Sequence, residues 1–200
     1  MKKWLKIFLP ILLMGACAAP QTRIYSLYIP PAKQPAKQET INREVDASVV
    51  ITVHSARHLT QPYIVSRKSP YQLEISRYSK WETSPSEKVS EVFKEALSSI
   101  QLFKEVRVGN IIPDGFYSLK INLKRFERFD EGNHSFSEFS FDATFISPDG
   151  HVIFRDTLSK KSGLGDRTFL NLAKGLSTDV TEGIEEVKNK ISRSFKPSPS

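Results

Sequence analysis

The sequence predicts an α+β fold, in which an antiparallel or mixed β-sheet is packed on one side by two amphipathic α-helices in a two-layer single domain. Three observations carry this. Apolar residues recur at three- and four-residue steps over 89–100 and 169–191, the period of a helix face. Shorter stretches at 48–55, 117–123 and 139–145 are rich in β-branched residues or alternate apolar with polar. No repeat or shift of composition divides the 200 residues, a length that one core can serve.

The N-terminus needs separate treatment. Met1-Lys2-Lys3 is a positive start, and 4–13 is an apolar run broken only by Lys6 and Pro10. A bilayer span needs about 20 apolar residues, so the run reads as an export signal. It ends in "LLMGACAAP", which holds the one cysteine of the chain. Gly15-Ala16-Cys17 resembles the lipobox of bacterial lipoproteins, with Met14 in the place where leucine is usual. In that pattern the cut falls between Ala16 and Cys17, and Cys17 receives the lipid. The plainer alternative is an ordinary signal peptide with a chance cysteine. Removal of residues 1–16 takes away Lys2, Lys3 and Lys6, so the formal charge of +7 less three gives +4. Basic and acidic residues are interspersed, which suits solubility or an anionic surface and gives no reason to expect nucleic-acid binding. Ala18 stands where an inner-membrane retention signal would place aspartate, which implies an outer-membrane destination and a periplasmic domain.

Residues 17–45 read as a lipid-anchored tether. Its "PAKQPAKQE" portion is an extended spacer, and "IYSLYI" at 24–29 is a short strand expected to pair with the sheet. Residues 46–195 form the folded domain. "SVVITVHS" is its first firm strand. Short apolar pieces at 63–65 and 71–75, parted by Arg67-Lys68-Ser69-Pro70, suggest a hairpin. Ser84-Pro85-Ser86-Glu87 is a capping box with proline at the first helical position, ahead of the first amphipathic helix. "KEVRV" is the next strand. Two long alternating strands follow, with apolar Tyr117, Leu119, Ile121 and Leu123 in one and Phe139, Phe141, Ala143 and Phe145 in the other. Both sets have odd numbers, so facing pairs need an odd-length loop or a bulge, and Gly132 can supply the left-handed residue of a three-residue loop. Ser147-Pro148-Asp149-Gly150 turns the chain into "HVIFRDTLS". A long helix follows, although Gly175 and Gly183 each weaken it by about 1 kcal/mol relative to alanine. Residues 196–200 read as a disordered tail.

Catalytic constellations are scarce. His54 and His58 are four apart, a metal-binding spacing only on a helix, whereas His54 falls in a strand. His134 and His151 sit beside turns. "GLGDR" at 163–167 lacks the lysine and hydroxyl of a phosphate loop and reads as a flexible lead-in to the last helix. No catalytic residue, metal or cofactor is expected, and the chain is read as a non-enzyme. Phe126 and Phe136 occupy even positions, away from the apolar stripe. They are either packed locally under a loop or form an exposed apolar edge for a partner. Trp81 reads as a core plug at the helix start.

The stretch "HLTQPYIVSRKSPYQLEISRYSKWETSPSEKVSEVFKEALSSIQLFKEV" resembles the ABC-type transport auxiliary lipoproteins, partners of transporters built with mammalian-cell-entry (MCE) domains. Tyr25-Ser26-Leu27 after the cysteine, the strand ending in "ITV", "PYIVSR", "SRYSKW" and "LFKEV" carry the resemblance through their order and spacing, over roughly 17–190. "ETSPSE" after Trp81 departs from the family's Ala-Glu-Pro, and the spacer is longer than expected. The resemblance implies a non-catalytic component of a system that moves lipids or other hydrophobic molecules between inner and outer membranes. Its partner would be the MCE-domain protein of an inner-membrane ABC transporter, and its anchor would lie in the outer membrane. Self-association into a homo-oligomer is left open. The rival reading is a structural or assembly lipoprotein of another envelope complex, such as a secretion pilot, with no part in lipid transport.

Overall fold

The computed structural model describes residues 21–30, 47–100 and 102–195. Its elements run β1 (Arg23–Tyr25), β2 (Ala47–Ser55), a short 3-10 turn (Arg57–Leu59), β3 (Tyr63–Ser69), β4 (Gln72–Trp81) and α1 (Pro85–Ser98). They continue with β5 (Phe103–Val108), β6 (Phe116–Glu131), β7 (His134–Ile146), β8 (Val152–Gly163) and α2 (Phe169–Ser194). The eight strands make one mixed sheet, and both helices pack on it, as the periodicities predict. The leader, Ala16, Cys17, the spacer and the tail lie outside the described residues.

The long strand β6 organises the sheet. Along one edge it pairs antiparallel with β7 from Ser118 to Glu131, and β7 pairs antiparallel with β8. On its other edge β2 runs parallel beside the first half, Ser48 facing Phe116 and Ser55 facing Leu123. Beyond the 3-10 turn the chain continues in the same direction as β3, beside the second half, where Ser66 faces Arg128. β5 flanks β2, while β4 and then β1 flank β3. The predicted hairpin is therefore present as β3–β4, with strands longer than their apolar residues suggest.

Parity between β6 and β7 is restored by a bulge. Leu123 faces Phe141 but Arg125 faces Ser140, so Lys124 has no counterpart on β7. The turn itself is short: Glu131 faces His134, leaving Gly132-Asn133 as the loop, with Gly132 at φ 57°. Of the two sequence alternatives, the bulge is used and the three-residue loop is not. A one-residue slip exchanges the faces of a strand. Leu119, Ile121 and Leu123 face the helices before the bulge, and Phe126 does so after it.

The first helix begins at its predicted cap, and the last has a similar one at Thr168. The Ser84 hydroxyl accepts from the Glu87 amide at 3.2 Å, and the Thr168 hydroxyl accepts from the Asn171 amide at 3.3 Å. The two glycines of α2 mark close approach to the sheet. A Cβ on Gly175 would lie 2.5 Å from Ser137 Oγ, and one on Gly183 would lie 3.0 Å from Phe139 Cε1. Phe93, Phe126, Phe139, Phe141 and Phe145 are all fully buried between the layers, each contributing about 1.5–3 kcal/mol of apolar burial.

Candidate functional site

The element nearest the expected lipid anchor is a strap, residues 21–30, laid on the domain. β1 pairs parallel with the end of β4, Arg23 facing Ser79 and Tyr25 facing Trp81. The Glu82 amide donates to the Tyr25 carbonyl at 2.8 Å, and the Tyr25 ring meets Phe169 edge-on at 5.9 Å. Farther along, the Tyr28 amide donates to Ser177 Oγ at 3.1 Å. Leu27 and Ile29 pack on the core, and Ile29 and Pro30 line a crevice with Val92 and Ala96 of α1 and Ile184 of α2. The predicted strand at 24–29 thus pairs only as far as Tyr25, and the rest lies over the helices. The expectation that this piece joins the sheet holds for Arg23–Tyr25. The distance from the domain to Cys17 is set by the few residues before Arg23, and the spacer connects strap to β2.

Phe126 does not lie on an exposed edge. It is 1% exposed, edge-on to Trp81 at 5.6 Å and to Phe139 at 6.3 Å, because the Lys124 bulge turns it inward. Trp81 is the core plug its position predicts. Phe136 faces Phe129 across the hairpin on the side away from the helices, and Lys161 Nζ sits 4.1 Å from the Phe136 centroid and 4.7 Å from that of Phe129. That cation–π cover makes Phe136 a half-buried surface residue. On the same face Arg67 grips Glu127 with two hydrogen bonds, 2.5 and 3.2 Å, although Glu127 is only 1% exposed. The bonded carboxylate pushes the Arg67 guanidinium up from its ordinary pKa.

A polar hub joins the β6–β7 turn to the start of α2. Burial alone would raise the Asp130 carboxyl, but the Ser135 hydroxyl at 2.6 Å and the Arg128 guanidinium at 3.0 Å hold it below the usual range. Arg128 also donates to the Arg167 carbonyl at 2.7 Å, and Arg167 donates to the Gly132 carbonyl at 2.6 Å. Asp166 accepts from the Thr168 amide and hydroxyl. The lead-in is therefore tied to the hairpin at Leu164, whose amide donates to the Ser135 carbonyl at 2.8 Å, and at Arg167, which corrects its reading as flexible. Deeper in, Asp179 of α2 is 1% exposed and accepts from Ser137 and Ser162, each at 2.5 Å. Burial pushes its carboxyl up. The sequence carried a signal for this carboxylate, since Asp179 falls on the apolar stripe between Leu176 and Val180.

Among the described residues no His, Cys, Asp or Glu cluster gathers as metal ligands, and His54 is exposed on β2 while His58 lies in the 3-10 turn. No described helix is long and apolar enough to cross a membrane. One broad, shallow crevice lies between the strap and α2, lined by Tyr28, Pro30, Leu170 and Ala173, and a second, similar in size, lies at the start of β6 beside Lys104, Glu105, Arg107 and Asp114.

The sheet order and the two helices recur in solved structures. Protein XCC0632 from Xanthomonas campestris superposes with a TM-score of 0.70 at 18% identity, over 86% of this chain and 95% of that one. An uncharacterised protein superposes at 0.65 with 12% identity, over 86% and 99%. At such identities the likeness shows the fold. No curated protein matches the chain. The family does: the chain belongs to the ABC-type transport auxiliary lipoprotein component family, which matches residues 25–183, from the strap to the middle of α2.

Proposed function

We propose that the protein is a lipid-anchored, periplasmic, non-catalytic component of an ABC transporter containing an MCE-domain protein, and that this system moves lipids or other hydrophobic molecules between the inner and outer membranes. The family match over residues 25–183 carries the reading. Cys17, eight residues before the matched span, is the proposed site of lipid attachment, with cleavage after Ala16 and anchoring in the outer membrane. Phe136 is the surface ring proposed for partner contact, since Phe126 is committed to the core.

The test is isolation of the full-length protein from detergent-solubilised envelopes. Recovery with a permease, its ATPase and an MCE-domain protein is expected, together with an acylated Cys17 by mass spectrometry. Recovery with secretin or pilus subunits instead would assign it to another envelope complex, and an unmodified Cys17 would remove the anchor.

A further inference from the structure

We propose that the domain rests on the membrane that holds its lipid, with the tip of the β3–β4 hairpin, Pro70-Tyr71, seated in the interfacial layer. The inference depends on the reading of Cys17 as the lipid-bearing residue. Five residues lie between Cys17 and Arg23, where the chain joins the sheet, so the anchor is six steps, or at most about 20 Å, from that point. β1 runs parallel to β4, and β4 descends from the hairpin tip, so the chain enters β1 from the side of that tip. The tip stands at a matching height. Between Lys80 and Ile75 the bulged β4 advances only the two steps from Tyr63 to Val65, and four more residues lead to Tyr71, for about 20 Å in all. An anchor this short cannot hold the domain clear of the bilayer on that side.

The surface at this height suits an interface. Tyr71 at the tip is 97% exposed, and Ile75 and Tyr78 are exposed farther along β4 toward Arg23. Tyrosine, apolar in the ring and polar at its tip, concentrates at the level of lipid head groups. Exposed Arg77 of β4 and Arg23, which faces Ser79, lie on the anchor side of the tip and favour anionic head groups. The opposite end behaves as an internal control. The loop before β6 carries Ile111, 86% exposed, and β3 runs beside the far half of β6, so this loop and the hairpin tip lie at opposite ends of the sheet.

The experiment uses the full-length lipidated protein in phosphatidylethanolamine–phosphatidylglycerol vesicles. With Cys17 acylated, a single introduced cysteine takes an environment-sensitive fluorophore alone. The label at Gln72→Cys, beside an intact Tyr71, is expected to shift to the blue and to lose most of its emission to a quencher on a shallow acyl-chain carbon. The label at Ile111→Cys is expected to stay aqueous, and adding Tyr71→Asp to Gln72→Cys should return the first label to water. Protein that floats with the vesicles while the label at 72 remains aqueous, or while that at 111 enters lipid, overturns the orientation and leaves the lipoprotein reading intact. Protein that does not float and has a free Cys17 thiol overturns both.

Discussion

Phe126 and Phe136 sit on the same hairpin and have opposite fates, and truncation separates them. Phe126→Ala empties a site walled by Trp81 and Phe139, at an expected cost of about 3–5 kcal/mol. Phe136→Ala removes a ring covered only by Lys161 on the outer face and should cost about 1 kcal/mol. Urea unfolding of the domain without its leader measures both. Asp130 and Asp179 show a similar contrast in pH dependence. The Asp130 carboxyl is lowered, so its stabilisation is present above the ordinary carboxylate range and is lost as pH falls through its folded value. The Asp179 carboxyl is raised, so the folded state holds its proton more tightly. Stability is therefore lost as pH rises from about 4 through the folded value. Asp179→Asn should raise Tm near neutrality, by about 2–4 °C for each kcal/mol recovered, and the gain should vanish in acid. Thermal melts across that range check the sign.

At the scale of elements, the helices, the hairpin and the long strands were legible in the sequence because each has its own periodicity or cap. What escaped it were the relations between elements. Nothing local to β2 shows that it joins β6 in parallel, and nothing in 27–30 shows that this piece lies on two helices that follow much later in the chain. The bulge was half legible: parity demanded an irregularity but could not place it at Lys124. Deleting Lys124 should remove only the unpaired residue and keep Phe126 opposite Phe139 in a folded domain, whereas deleting both Lys124 and Arg125 should turn Phe126 outward and leave the domain insoluble or unfolded, read by circular dichroism and heteronuclear NMR. The helix glycines were read through propensity alone, which favours alanine by about 1 kcal/mol. Contact reverses that sign. Gly175→Ala should destabilise by about 1–3 kcal/mol, because the new methyl meets Ser137 Oγ and Leu164 at the point where α2 touches the sheet.

At the scale of the molecule, the strap joins parts that the chain makes at very different times. Replacing Leu27 and Ile29 by serine should release it, seen as faster hydrogen exchange at the Tyr28 and Glu82 amides, with the exchange of β6 and β7 unchanged. Its seats include Trp81, Phe169 and Ser177, the last two some 150 residues downstream in a 200-residue chain. An N-terminus with partners so remote cannot settle until nearly all of the polypeptide has emerged. During export, then, the segment beside Cys17 stays unengaged while synthesis proceeds. Under the proposed lipidation of Cys17, the modifying enzymes would meet an open substrate first, and the strap at 21–30 would seat on the domain only afterwards.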